Sequence, residues 1–236
     1  MPESPGPDLL AAQLVPYVPR WLAARLPLAP GTRRAGSAVV LYADLAGFTP
    51  LSAALAAAPD GAERLGRELT DVFTRLIAAI HAEHGDVVKF AGDSLTAIFP
   101  TTTRALAAGA AMQASHRATI TTPAGPFQIG LRVGVGAGRI TWQIIGNPGR
   151  EHYWVISGIG LRRAIAAEAA AAPGSVRGGA GVMRAASMRP PARAPARPPA
   201  PALRPYLPEV LVARLEAGMG GFLGEYRRVA VAFVAL

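Results

Sequence analysis

The stretch AVVLYADLAGFTP at residues 38–50 decides the fold of this 236-residue chain. Its first half is an apolar run that is typical of a buried central strand, and the run ends on the carboxylate Asp44. Small residues follow, and Thr49 with Pro50 then predict the N-cap and first turn of a helix. Such a turn offers backbone N–H groups and a helix N-terminus, which together favour a phosphate.

The segments after this stretch alternate between helical and strand patterns. Apolar residues recur at helical spacing over residues 65–80, and residues 87–99 predict a β-hairpin with Asp93 at its tip. Further predicted elements are a helix over about 103–118, strands over 127–136 and 140–145, and a helix over about 161–172. This order predicts an α+β fold with a ferredoxin-like βαββαβ core, an antiparallel sheet with helices on one face.

Composition excludes several kinds of chemistry and of partner. The chain has no cysteine, so disulfides, thiolate metal sites and cysteine nucleophiles are excluded. It has neither an apolar run of about 18 residues nor a signal-peptide pattern, which predicts a cytoplasmic protein without a membrane span. The net charge of +9 includes six arginines within residues 177–204, where no acidic residue occurs. That stretch contains PPARAPARPPAPA, so we interpret it as a solvated linker and expect no nucleic-acid partner.

Changes in composition divide the chain into four parts. We predict a Pro-rich lead-in at 1–36, the main folded domain at 37–186, a Pro/Ala/Arg linker at 187–205, and a helix followed by a strand at 206–236.

The last eleven residues, YRRVAVAFVAL at 226–236, repeat the pattern of the first strand. Aligning Leu236 with Leu45 places Ala235 at the position of Asp44. We interpret them as the first strand of a second, truncated domain that carries no carboxylate there, and the preceding segment PYLPEVLVARLEAG at 205–218 as the interdomain helix. An ordinary C-terminal strand that completes the first sheet is the alternative.

Asp44 and Asp93 form the most informative pair of side chains. If their strands are neighbours, both carboxylates meet at one end of the sheet, beside the phosphate-binding turn. Mg²⁺ prefers one or two carboxylates, with water and substrate phosphate as the remaining ligands. A structural role fits the spacing equally well, with Asp44 capping the helix and Asp93 serving the turn.

Three separated segments identify a family. VLYADLAGFTPLS (40–52), HGDVVKFAGDSLTAIF (84–99) and LRVGVGAGRITWQIIGNPGREHYWVI (131–156) resemble, in order, three signature segments of class III adenylyl and guanylyl cyclases. The resemblance covers about residues 37–176. The motif KFAGD and the N-terminal segment YVPRWL are most similar to the first catalytic domain of bicarbonate-responsive soluble adenylyl cyclases and their bacterial relatives.

The resemblance implies a two-metal reaction that forms a 3′,5′-cyclic nucleotide and pyrophosphate from ATP or, less favoured, GTP. Two Mg²⁺ or Mn²⁺ ions would be held by Asp44, Asp93 and the backbone carbonyl of Leu45. The backbone N–H groups of Gly47, Phe48 and Thr49 would bind the phosphates.

Lys89 occupies a position that, in this family, either contacts the purine or lies in a regulatory pocket. A solvent-facing charge on the hairpin is the structural alternative for this residue.

The sequence departs from the family pattern where active homodimeric cyclases carry an Asn and, four residues later, an Arg that stabilises the transition state. These positions fall on Leu161 and Ile165 or, one residue later, on Arg162 and Ala166. The residue that recognises the purine falls on Trp154 or Val155. Arg162 and Arg163 start a helix, and we interpret them as solvated residues rather than substitutes.

These departures indicate half of a composite site, which would act with a second cyclase domain and be inactive alone. A regulatory pseudocyclase domain that binds nucleotide and metal and dimerises without turnover is the alternative. A relative of GGDEF or polymerase-palm proteins is disfavoured, because the hairpin tip carries a single acid, Asp93.

Overall fold

The computed structural model describes residues 6–56, 60–122, 125–179, 188–191 and 196–219. The helices there are α1 (Pro7–Leu14), α2 (Arg20–Ala23), α3 (Phe48–Ala56), α4 (Gly61–Ala82), α5 (Thr102–Ser115), α6 (Ile159–Ala169), α7 (Ala200–Leu203) and α8 (Glu209–Glu216), with 3₁₀ turns at Val15–Tyr17 and Arg204–Tyr206. The strands are β1 (Arg33–Ala46), β2 (Asp86–Ala91), β3 (Ser94–Phe99), β4 (Thr119–Thr122), β5 (Gly125–Gln128), β6 (Gly130–Gly146), β7 (His152–Gly158) and β8 (Ser175–Gly178).

The main sheet has the strand order β2-β3-β1-β6-β7, with all neighbours in this order antiparallel. The four strands β6-β1-β3-β2, with α3 and α4 before the β2-β3 hairpin and α5 after it, form the predicted ferredoxin-like core. β8 pairs parallel to the first half of β6, and β4 with β5 forms a separate hairpin. The predicted α+β class with an antiparallel sheet is therefore confirmed.

β6 is one strand of 17 residues, where the sequence predicted two strands separated by a break near Gly138. The glycines of this region do not end the strand, because they serve packing. A Cβ atom on Gly134 would lie 2.1 Å from the Ala164 carbonyl oxygen, and one on Gly136 would lie 2.3 Å from the Ala164 nitrogen. Glycine thus lets the backbone of α6 pass directly over the middle of β6.

Helices cover both faces of the sheet, whereas the sequence predicted helices on one face. The first core contains α3, α4 and α5 and includes Leu41, Leu76, Phe99, Met112 and Val133. The second core contains α1, α2, α6, α7 and α8. It includes Val40, Trp21, Ile144, Leu203 and Val212. The cause lies in β1, where the run Ala38–Leu41 is fully buried on both sides and does not alternate between buried and exposed residues.

The predicted lead-in and the predicted linker both contain residues packed on this second face. The Trp21 side chain is 1% exposed, and Met188 is buried while its backbone N–H donates to the Ser37 carbonyl oxygen at 3.1 Å. α7 also lies inside the predicted linker. The Pro/Ala composition alone did not predict this packing.

The predicted helix after residue 206 is present as α8, and the strand predicted at 226–236 lies outside the described residues. None of the helices in the described ranges combines the length and the apolar character that crossing a membrane requires.

Candidate active site

Asp44 and Asp93 lie at the same end of the sheet. Asp44 is near the end of β1 and is paired with Ser94, the first residue of β3, so Asp93 at the hairpin tip lies next to it. The Leu45 N–H donates to the Asp93 carbonyl oxygen at 3.4 Å. Gly92 has φ +62°, a conformation that glycine adopts without strain and that turns the chain at the tip. The predicted convergence of the two carboxylates is therefore present.

The electrostatics of Asp93 reflect this closeness. Burial raises the pKa of the Asp93 carboxyl, a hydrogen bond from its own backbone lowers it, and the negative charge of Asp44 raises it further. A cation bound between the two carboxylates would remove this repulsion.

The Leu45 carbonyl faces the same hairpin tip. In an antiparallel ladder, the N–H and C=O of one residue point toward the same neighbouring strand. Because the Leu45 N–H points at Asp93, its carbonyl oxygen also points to the β3 side. Two carboxylates and one carbonyl oxygen form a hard-oxygen donor set that suits Mg²⁺ or Mn²⁺.

No group of three or more His, Cys, Asp or Glu side chains suited to a metal ion occurs in the described part of the chain. This observation is compatible with the donor set above, because Mg²⁺ sites usually use one or two carboxylates and complete the shell with water and phosphate.

An arginine that the sequence analysis missed contacts Asp44. Arg132, on β6 directly opposite Asp44, donates from Nη2 to Asp44 Oδ2 at 2.9 Å. This hydrogen bond is the main cause of the raised pKa of Arg132. The guanidinium therefore neutralises the Asp44 carboxylate.

Glu168 of α6 completes this cluster. Its Oε1 lies 2.9 Å from Arg132 Nε, and the side chain is 7% exposed. The N–H does not point at that oxygen, so the contact is an ion pair without a hydrogen bond. Burial raises the pKa of the Glu168 carboxyl, Arg132 lowers it, and the charge of Asp44 raises it. Glu168 and Asp44 thus contact different nitrogens of the same Arg132 guanidinium.

The predicted phosphate turn follows Asp44 directly. Gly47 has φ +90°, and a Cβ atom there would lie 2.5 Å from the Gln128 carbonyl oxygen, so only glycine fits. α3 begins at Phe48, one residue before the predicted cap, which places Thr49 in the first turn and makes its predicted N-cap role wrong. The first turn of a helix carries N–H groups without intrahelical partners, and these are the groups that bind anions.

Lys89 lies on the same face of the sheet as Asp44, although not beside it. It is exposed on β2 and paired with Thr96, which is paired with Tyr42, two residues before Asp44. Residues directly opposite each other in a ladder share a face, and two strand spacings amount to about 10 Å. Lys89 therefore lies about two strand spacings from the Asp44 strand, on the face of the sheet that carries Asp44.

The α6 helix lacks the expected Asn and Arg in both registers. Leu161 is half-buried in the second core, Ile165 is 41% exposed, and Arg162 and Ala166 are exposed. Arg163 donates to the Ala137 carbonyl oxygen at 2.9 Å, which ties it to β6. Neither arginine of this helix faces the Asp44 cluster in the way that Arg132 does.

Comparisons with known proteins agree with this fold. The model of the adenylate and guanylate cyclase catalytic domain matches residues 32–177. A class III adenylyl cyclase-like ATP-binding protein from Pseudomonas aeruginosa has 19% identity and a TM-score of 0.53, over 64% of this chain and 35% of that chain. The guanylate cyclase domain of RhGC from Catenaria anguillulae, in complex with GTP, has 18% identity and a TM-score of 0.51, over 61% of this chain and 78% of that chain.

At these identities the two structures establish the fold alone. A search of curated proteins gave no match. The family match spans more than half of the chain and agrees with the fold that the strand order shows. The chain belongs to the class III adenylyl and guanylyl cyclase catalytic-domain family.

Proposed function

We propose that this domain is the metal-binding half of a composite cyclase site, which converts ATP to 3′,5′-cyclic AMP and pyrophosphate when a second cyclase domain supplies the remaining residues. The observation that carries the proposal is the pairing of β1 with β3, which brings Asp44 and Asp93 together beside the Gly47 turn. GTP is the second candidate substrate, because the residues that would distinguish the bases belong largely to the partner domain.

In this proposal Asp44, Asp93 and the Leu45 carbonyl hold two Mg²⁺ or Mn²⁺ ions. When bound, the ions would supply the Lewis-acid chemistry that activates the ribose 3′-hydroxyl and stabilises the leaving pyrophosphate. The backbone N–H groups of Gly47, Phe48 and Thr49 orient the phosphates.

Arg132 has two partners that suit it to this reaction. It neutralises Asp44 while the metals are absent, and it becomes available to the triphosphate once they bind. Its ion pair with Glu168 keeps the guanidinium at the site in both states.

The need for a second domain follows from α6. A transition-state arginine is expected four residues after an asparagine on this helix, and the described α6 has no asparagine and no arginine at either expected arginine position, Ile165 or Ala166. A homodimer of this chain would then repeat the metal-binding half twice. We further propose that the domain corresponds to the first catalytic domain of bicarbonate-responsive cyclases, with Lys89 in the base or regulatory pocket, on the strength of the KFAGD wording.

The test is a cyclase assay with Mn²⁺ and ATP or GTP, on the chain alone and on the chain mixed with a class III domain that supplies Asn and Arg. We expect no turnover alone and turnover in the mixture. Asp44→Ala should abolish the activity of the mixture, whereas Asp71→Ala, which removes an exposed carboxylate of α4, should not. Turnover by the chain alone would contradict the half-site proposal.

A regulatory pseudocyclase is the second candidate, and the absence of the catalytic pair from α6 favours it. It predicts that the chain binds nucleotide with Mn²⁺, lost in Asp44→Ala, while no complementary domain restores turnover. Calorimetric titration of nucleotide in the presence of Mn²⁺, together with the assay above, distinguishes the two candidates.

A further inference from the structure

Two segments of the chain repeat each other. The first docking segment is LVPYVPRWLAARL at 14–26, and the second docking segment is LRPYLPEVLVARL at 203–215. The shared pattern L-x-P-Y-x-P-x-x-L-x-A-R-L gives eight identical positions of the thirteen. The two segments start 189 residues apart, and their eight identical positions indicate an internal duplication.

The backbone repeats as well. In each segment a 3₁₀ turn is followed by an extended residue, a proline and a short helix, at the same offset. Val18 and Leu207, the extended residues, have φ/ψ of −114°/129° and −126°/143°, and the prolines that follow have −51°/135° and −56°/134°. The Val18 N–H donates to the Val15 carbonyl at 3.1 Å, and the Leu207 N–H donates to the Arg204 carbonyl at 3.1 Å.

The first docking segment shows how this unit holds a cyclase sheet. Asp86, the first residue of β2 and 2% exposed, accepts hydrogen bonds from the Trp21 N–H at 2.6 Å and the Arg20 N–H at 3.3 Å. The Arg20 guanidinium pairs with the same carboxylate at 3.3 Å. The Trp21 ring stacks on Trp154 with a centroid distance of 5.3 Å. The backbone of α2, the Arg20 guanidinium and the Trp21 ring thus all contact the sheet.

The second docking segment buries the same inward positions and leaves its docking positions free of the sheet. Leu14 and Leu203 are both fully buried, and Val18 and Leu207 are both 4% exposed. At the position of Trp21, which is 1% exposed, stands Val210, which is 60% exposed. At the position of Arg20 stands the exposed Glu209, and no described residue contacts α8 as Asp86 contacts α2.

The charge at this position selects the partner. Glu209 would meet the carboxylate of Asp86 if the second docking segment bound a sheet like the one in this chain, and two like charges at a buried contact disfavour that complex. The Asp86 position of this chain is also already occupied by the first docking segment. A second copy of this chain is therefore a poor occupant.

We propose that the second docking segment is the docking surface for a second, different cyclase-type domain, whose sheet carries a cation where this sheet carries Asp86. This inference rests on the proposed function in one respect, namely that a second cyclase domain is the partner. The sequence after the segment, at 226–236, is apolar like the first strand and places Val231 on Val40 when Leu236 is aligned with Leu45, as expected if the second docking segment precedes its own sheet as the first one does.

One experiment reverses the charges in a tandem protein. The full chain is joined at Leu236 to a second copy of residues 46–186, so that the second docking segment precedes a second sheet. Second-copy position 86 is Asp or Lys, and Glu209 is kept or changed to Arg. With Glu209, we expect the second-copy sheet that carries Lys to unfold at a temperature about 3 °C or more above that of the sheet that carries Asp. With Glu209→Arg, we expect the sheet that carries Asp to unfold at the higher temperature. Differential scanning calorimetry measures all four unfolding temperatures. Equal unfolding temperatures in all four combinations would overturn the proposal.

A second measurement uses the 236-residue chain itself. R20E with W21V gives the first docking segment the docking residues of the second, and we expect a lower melting temperature. Asp86→Lys removes the acceptor of the helix N–H groups in both backgrounds, but only in the natural chain does it also replace the Arg20 pair with a repulsion. We therefore expect Asp86→Lys to lower the melting temperature less in the R20E, W21V background than in the natural chain. An equal loss in the two backgrounds would overturn the assigned charge pairing even if no tandem protein folds. Neither measurement involves catalysis, so a failed cyclase assay leaves this result unaffected.

Discussion

Arg132 is bound at 2.9 Å to Asp44, the carboxylate that we propose as a metal ligand. A guanidinium at this distance competes electrostatically with a bound cation, although its side chain is 32% exposed and solvent screens the competition. The same guanidinium suits a triphosphate, because arginine binds phosphate oxygens in a bidentate manner. We therefore expect Arg132 to oppose binding of the metal and to favour binding of the nucleotide.

We predict that Arg132→Gln binds Mn²⁺ about fivefold more tightly in the absence of nucleotide, as expected for loss of about 1 kcal/mol of screened repulsion. Nucleotide binding in the presence of Mn²⁺ should weaken, because a phosphate contact is lost. Isothermal titration calorimetry measures both. Arg139→Gln, an exposed arginine on the same strand, is the control and should change neither value. Weaker Mn²⁺ binding by Arg132→Gln would contradict the competition.

Asp93 gives a prediction about pH. Burial and the neighbouring charge of Asp44 raise its pKa, so the carboxyl keeps its proton to a higher pH than an ordinary aspartate does. Metal binding requires the ionised form, so Mn²⁺ affinity should fall on acidification through this raised pKa, above the usual aspartate range. Calorimetric titration of Mn²⁺ over a pH series measures the midpoint. A midpoint at or below the usual aspartate pKa would show that the carboxyl is not perturbed in this way.

The residues of the site differ in how far the sequence predicts them. Asp44, Gly47 and Asp93 belong to short local motifs, which fix their positions through a strand end and a tight turn. Arg132 contacts a carboxylate 88 residues away in the sequence, so its role depends on the pairing of β1 with β6. A signal did exist: Arg132 is the one charged residue within the apolar alternation LRVGVG. Glu168 had no comparable signal, because its position follows from the packing of α6.

At the scale of elements, α6 depends on the glycines of β6. A Cβ atom on Gly136 would lie 2.3 Å from the Ala164 nitrogen, a contact with backbone that no side-chain rotation relieves. We predict that Gly136→Ala lowers the free energy of unfolding by about 1–3 kcal/mol, as overpacked cores do. Gly179→Ala is the control, because a Cβ atom there meets nothing within 4 Å. Urea denaturation measures both, and equal stability of the two variants would refute close packing of α6.

Local periodicity predicted the order of the helices and strands. It did not predict which face of the sheet each helix covers. Hairpin β2-β3 and helix α4 carry clear patterns and lie where the sequence predicts them. The sequence predicted two strands at 127–136 and 140–145 where β6 is continuous, because a glycine that ends a strand and a glycine that admits a helix look alike in a sequence. Helices on the second face were missed because their contacts connect residues from opposite ends of the chain, such as the Tyr206 hydroxyl that donates to the Leu28 carbonyl at 2.9 Å.

At the scale of the whole molecule, one carboxylate joins the N-terminal helices to the catalytic sheet. Asp86 accepts two backbone N–H groups and pairs with Arg20. We predict that Asp86→Ala lowers the free energy of unfolding by about 3 kcal/mol or more, since it leaves buried donors and a cation without their acceptor. Asp60→Ala, at an exposed carboxylate that makes no capping hydrogen bond, should cost far less in the same urea titration.

The same carboxylate makes the attachment of these helices depend on pH. Burial is the largest influence on Asp86 and raises its pKa, against the lowering effects of the Trp21 N–H and of Arg20. The folded state then binds its proton more tightly than the unfolded state does, so stability is greatest below the unfolded pKa and declines as pH rises through the raised value. Asp86→Asn cannot ionise. The free energy of unfolding of the natural chain, relative to Asp86→Asn, should therefore fall as pH rises from the usual aspartate pKa through this raised value, in urea titrations at fixed salt. A relative stability that rises over this range would mean that Arg20 and the helix N–H groups outweigh the cost of burying the charge.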